Sequence, residues 1–231
     1  MLRLFSTRLV MAAASAPAAT KRTNFRLPLS ASAAAAAITK RVENSLSIYG
    51  ASLAVTIPYR TAAGGAEKAV ADMAALVDRP EAIIVASGSR NPSAIVSPLK
   101  TKGFLGKGVA LIGTSRWLAH PLSDPLFDGA YIAALDITET GPIAARFKAT
   151  FNYDADVNVA YAYDMVALTA GIASAVGPKG MTRQVLENPT GFRGSTGLFR
   201  FRADGASERS MPFYQVRNGS LKQIEKSISG F

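Results

Sequence analysis

Five consecutive apolar residues, Ala82-Ile83-Ile84-Val85-Ala86, constrain this chain more than any other stretch. A strand with one face in water alternates apolar and polar side chains, whereas a short unbroken run suits a strand covered on both faces. Coverage on both faces calls for helices on either side in sequence, and the flanks supply them. Ala66, Val70, Met73 and Val77 recur at helical spacing up to Pro80, and residues 92–102 form a further short helix. Upstream, Ile38, Val42, Leu46 and Tyr49 mark a helix capped by Ser30 or Ser32 and closed at Gly50; Leu53, Val55 and Ile57 then alternate as a strand that Pro58 stops. Downstream, residues 109–112 and 130–134 read as strands and residues 140–151 and 158–176 as helices. This alternation predicts an α/β fold, a mostly parallel sheet with helices on both faces. The chain should end in an antiparallel meander: Gly197-Leu198-Phe199-Arg200-Phe201-Arg202, a turn at Ala203-Asp204-Gly205-Ala206, a return from Met211 to Val216, and a second turn at Asn218-Gly219.

Charge is distributed unevenly. The chain carries a net +10, but seven basic residues precede Glu43, its first acid, so the remainder holds nineteen basic against sixteen acidic residues. No basic stripe interleaved with aromatics follows, and nucleic acid is set aside as a partner. Residues 1–29 lack acids and place Leu2, Phe5 and Leu9 at helical spacing among Arg3, Arg8 and hydroxyl residues, the composition of a mitochondrial presequence. A bacterial export signal is the alternative, with Leu9 to Ala19 as its weakly apolar centre. The expected division is therefore a targeting or disordered segment over 1–29 and one α/β domain over 30–231. The sequence shows no strongly apolar stretch long enough to span a membrane.

Catalytic vocabulary is thin. Without cysteine, and with His120 as the sole histidine, thiol chemistry and multi-histidine metal sites are excluded, and neither a catalytic set, a metal nor a cofactor is expected. His120 stands near Ser123 and Asp124, but no Gly-x-Ser-x-Gly elbow accompanies it, so it reads as a loop histidine. Asp154 and Asp156 lack the calcium-loop pattern and read as the start of the next helix. Gly103-Phe104-Leu105-Gly106-Lys107-Gly108 precedes a strand, unlike a phosphate loop, and reads as a helix C-cap and connector.

Four stretches, in order, carry a resemblance to type-1 periplasmic solute-binding proteins, the branched-chain amino-acid receptors and alphaproteobacterial penicillin-binding protein activators: Leu111-Ile112-Gly113-Thr114-Ser115-Arg116-Trp117, Ala162-Tyr163-Asp164-Met165-Val166-Ala167-Leu168, Asn188-Pro189-Thr190-Gly191-Phe192-Arg193-Gly194, and Gly197 through Gly205. The resemblance covers roughly residues 30 to 231. It implies the second of two lobes, together with the helix around Tyr163 that normally returns to the first. Strand geometry then puts the ligand edge at Ser87, Gly88 and Ser89 and at Thr114, Ser115 and Trp117.

With most of the first lobe missing, Tyr161, Tyr163, Met165 and Leu168 are expected at an interface with other protein subunits. The expected function is a non-catalytic interaction or structural subunit of a larger mitochondrial assembly. The alternative is a periplasmic binding module for an amino-acid-like ligand or a penicillin-binding protein activator.

Overall fold

Ala82–Ala86 is a strand with four of its five residues buried. Around it the computed structural model describes residues 8–15, 31–48, 52–60, 63–75, 80–86, 91–135, 137–226 and 228–231. In chain order the elements are β1 (Arg8–Ser15), α1 (Ala31–Ile48), β2 (Ser52–Arg60), α2 (Gly65–Ala74), β3 (Ala82–Ala86), α3 (Ser93–Thr101), β4 (Ala110–Gly113), β5 (Tyr131–Ala133), α4 (Ile137–Phe151), α5 (Val157–Val176), α6 (Arg183–Leu186), β6 (Phe192–Gly194), β7 (Gly197–Phe201), β8 (Ser207–Arg209), β9 (Phe213–Arg217) and β10 (Ser220–Glu225). The fold is α/β, as the alternation predicts.

The chain divides into two compact units. Met1–Ile132 with Gln215–Lys222 holds a seven-stranded sheet of order β10-β9-β5-β4-β3-β1-β2. Within it β2, β1, β3, β4 and β5 run parallel, with Met11 beside Ile84, Ile84 beside Ile112, and Ile112 beside Tyr131. Val70, Met73, Ile83, Val85, Ile95, Val96 and Leu99 are buried, which is the α2 and α3 packing that the helical spacing encodes. On α1, Val42 packs with Leu53 and Ile84 against Ala86. The C-terminus of α3 closes as a Schellman motif: Gly103 has φ 76°, its N–H donates to the Lys100 carbonyl, and the Phe104 N–H donates to the Leu99 carbonyl. The second unit, Ala133–Tyr214 with Gln223–Phe231, holds α4, α5, α6 and the antiparallel sheet β6-β7-β8.

Three expectations are corrected. Residues 1–29 are not wholly apart from the fold, because Arg8–Ser15 is an interior strand paired on both edges, Ala12 with Ile57 of β2 and with Val85 of β3. From Leu9 to Ser15 the sequence is uncharged, as an interior parallel strand requires, but its alanines carry little strand signal. The rest of that segment, 1–7 and 16–29, lies outside the described residues. Pro58 does not stop β2, which runs on to Arg60; β2 is the edge strand, where a missing N–H needs no partner. The terminal meander is divided. β7 returns through β8, Phe199 facing Arg209, whereas β9 joins the parallel sheet instead.

A proline at Ala12 removes a ladder donor from an interior strand and, by leaving its acceptor unpaired, should cost at least about 1–3 kcal/mol. Thermal unfolding followed by circular dichroism should show a large fall in Tm, and deleting residues 1–15 should prevent folding of the parallel sheet.

Candidate functional site

In open parallel sheets ligands lie beyond the carboxyl ends of the strands. At the end of β3, Ser87, Gly88 and Ser89 lie outside the described residues. At the end of β4, Thr114 leads into a 3-10 helix over Ser115–Ala119. Ser115 is exposed and Thr114 half-buried, and the Thr114 Oγ1 and His120 Nε2 atoms are buried without a hydrogen-bond partner among the described residues. Asp124 is engaged elsewhere, accepting from the Leu126 N–H at 2.9 Å as the cap of its own turn.

Trp117 does not line this edge. It is fully buried, its indole N–H donates to the Val85 carbonyl at 3.2 Å, and its ring lies 5.3 Å from that of Phe127. Gly113 allows that placement, since a Cβ there would lie 2.5 Å from the indole. Trp117 is thus core beneath the strand end, and only Thr114 and Ser115 of the expected set stand at the described edge.

In the second unit the most organised polar group is Asp164, the sole charged residue of the twenty in α5 and only 2% exposed. Its carboxylate accepts from the Ser195 N–H and Oγ, both at 2.7 Å, from the Thr196 N–H at 2.9 Å, and from the Thr196 hydroxyl. Burial pushes the carboxyl up, but these four hydrogen bonds outweigh it and hold Asp164 below the ordinary carboxylate range. Gly194 makes room for the arrangement, because a Cβ there would lie 2.5 Å from the Asp164 carboxyl carbon. Asp156 begins the same helix as its N-cap, accepting from the Asn158 and Val159 N–H groups at 2.9 and 3.2 Å, whereas Asp154 pairs with Lys148 at 2.7 Å.

The remaining face of α5 is apolar and largely uncovered within its unit. Ala160, Asp164 and Ile172 are buried, whereas Tyr163 is 47% and Val166 70% exposed. Tyr161, Met165 and Leu168 are half-buried. Leu168 separates two clefts: one of about 490 Å³ bordered by Ala167, Gly171, Ala175 and Phe192, the other of about 400 Å³ bordered by Met165, Arg183, Leu186 and Phe201. Contrary to the expectation that no stretch is apolar and long enough to span a membrane, α5 qualifies by length and composition. Its central carboxylate is tied to the β6–β7 turn, the arrangement of a helix packed in a folded unit.

No protein-family model matches the chain, and no curated protein does. Solved structures do. A branched-chain amino acid ABC transporter periplasmic ligand-binding protein from Burkholderia xenovorans superposes with a TM-score of 0.65 at 13% identity, over 98% of this chain and 59% of its own. The fold is that of type-1 periplasmic binding proteins. A leucine-binding protein from Thermotoga maritima gives 0.56 at 16% identity over 96% and 60%, and a solute-binding protein from R. palustris in complex with benzoate gives 0.58 at 14% over 96% and 60%. The chain spans about three fifths of the length of the proteins it matches.

Asp164 lies within the Ala162–Leu168 stretch, whose sequence assigns it no task. The signal was a single charge in the middle of an apolar helix, which demands a partner wherever the helix packs. Replacing Asp164 by Asn should cost about 2 kcal/mol in urea unfolding, because donors lose a charged acceptor. Since the folded carboxyl titrates lower than the unfolded one, its contribution is complete above the unfolded value and is lost as pH falls below about 4 through the folded value. The variant should lack that part of the acid-induced loss. Gly194→Ala should cost about 1–3 kcal/mol by pressing a methyl group on the same carboxylate.

Proposed function

We propose that the chain is a non-catalytic module of the solute-binding type that works with a complementary protein portion docked on α5. The observation that carries this reading is a mismatch: the fold match covers 98% of this chain but 59% of a neighbour's, while Tyr163 and Val166 stand exposed on an apolar helix. Tyr163 and Val166 anchor that contact, with Met165 and Leu168 at its half-buried margin and Tyr161 beside them. Small-ligand contacts, where they form, fall on Ser87, Gly88, Ser89, Thr114 and Ser115.

Two settings have support. Likeness to a periplasmic ligand-binding protein favours the bacterial envelope, as an amino-acid-type module or an activator of a penicillin-binding protein. The acid-free, basic start of the chain favours a mitochondrial assembly, but the use of Arg8–Ser15 as an interior strand counts against removing that stretch.

A single lobe leaves the polar head of a small ligand in water. Calorimetry of the isolated chain with leucine, isoleucine, valine or benzoate should give dissociation constants weaker than about 1 mM. Micromolar binding corresponds to about −8 kcal/mol, which demands an enclosed site and would overturn the need for a complementary portion. Changing Tyr163 and Val166 together to Ser should release the chain from its assembly in native mass spectrometry, with Tm nearly unchanged because both side chains are exposed.

A further inference from the structure

We propose that Arg209, with Tyr161 and Ser207, forms a carboxylate-binding site on the second unit. The guanidinium carbon lies 4.5 Å from the centre of the Tyr161 ring and 4.6 Å from that of Phe199. Two aromatic faces against one guanidinium fix the position of its planar group, leaving N–H donors at its edge. Among the described residues one donor is used, from Nη1 to the Thr196 hydroxyl at 2.5 Å. No carboxylate pairs directly with Arg209 among the described residues.

The neighbouring charges are committed elsewhere. Glu208 pairs with Arg200 and with Arg202, each at 2.6 Å. As the adjacent strand residue, Glu208 projects from the opposite face of β8. Asp164 is reached through Thr196, whose hydroxyl donates to the carboxylate and accepts from Arg209. Burial lowers the Arg209 pKa, yet a guanidinium remains charged at any ordinary pH. The result is a half-buried cation bordering a cleft of about 400 Å³ that Tyr161, Ser207 and Met211 complete. Its planar edge matches a carboxylate in two-point geometry, and two hydroxyl-bearing residues, Tyr161 and Ser207, border the same cleft. The carboxylate belongs either to a free organic acid or to an Asp or Glu side chain of a docking protein.

The test is a titration of the full chain, read from the backbone amide signals of residues 207–211 in nitrogen–proton spectra. The probes are sodium acetate and N-acetyl-aspartate N-methylamide, with sodium chloride at equal ionic strength as the reference. Both carboxylates should produce saturable shifts that chloride does not. Arg209→Gln should weaken binding by about tenfold or more, and Arg209→Lys should fail to restore it, because the fork and not the charge alone is recognised. Tighter binding of the blocked aspartate assigns a protein side chain, and tighter binding of acetate assigns a free acid. Absence of saturation with both probes, shifts equal to those with chloride, or full binding by Arg209→Lys would overturn the proposal. If the Arg209 variants do not fold, the chloride comparison on the unaltered chain, together with Tyr161→Phe, which keeps the ring and removes its hydroxyl, decides: carboxylate-specific shifts weakened by that change support the site.

Discussion

A carboxylate can leave water only when its oxygens are occupied, and Asp164 meets that condition with donors drawn from one turn. Much of the second unit follows. The turn must come close enough to surround the carboxylate, so Gly194 cannot carry a Cβ. Ser195 and Thr196 must supply both backbone and side-chain donors, which sets where β7 begins. Thr196 passes the interaction on to Arg209, and Arg209 reaches two rings, Tyr161 on α5 and Phe199 on β7. One ionised side chain therefore fastens a helix to a hairpin and, at one remove, orders a cation.

In the first unit the organising constraint is pairing rather than charge. Interior parallel strands must satisfy both backbone edges, and β1 does so between β2 and β3 although half of its sequence is alanine and serine. The edge tolerates what the interior cannot, as Pro58 in β2 illustrates.

Much of the fold was legible because period and burial agree. The run at 82–86, the spacing of Val70 and Met73, and the caps at Gly103 and Asp156 each encode a local outcome that nothing distant overrides. The misreadings share a cause. Alanine is compatible with strand, helix or leader, so the identity of Arg8–Ser15 rested on neighbours contributed by later residues. The division of the terminal strands between two sheets was hidden for the same reason: alternation identifies a strand but not its partner. At the site, Trp117 followed a strand end in the expected position, yet only the three-dimensional contacts with Val85, Gly113 and Phe127 reveal that it points into the core. The task of Asp164 depends on donors some thirty residues away.

The position of Trp117 has a spectroscopic consequence. It is the only tryptophan in the chain and belongs wholly to the unit of the parallel sheet, whereas the second unit absorbs near-ultraviolet light through tyrosine. Indole emission excited at the red edge thus observes one half of the molecule selectively. Denaturation followed by that emission and by far-ultraviolet ellipticity, which averages over both halves, would coincide if the units melt together and separate if each has its own transition.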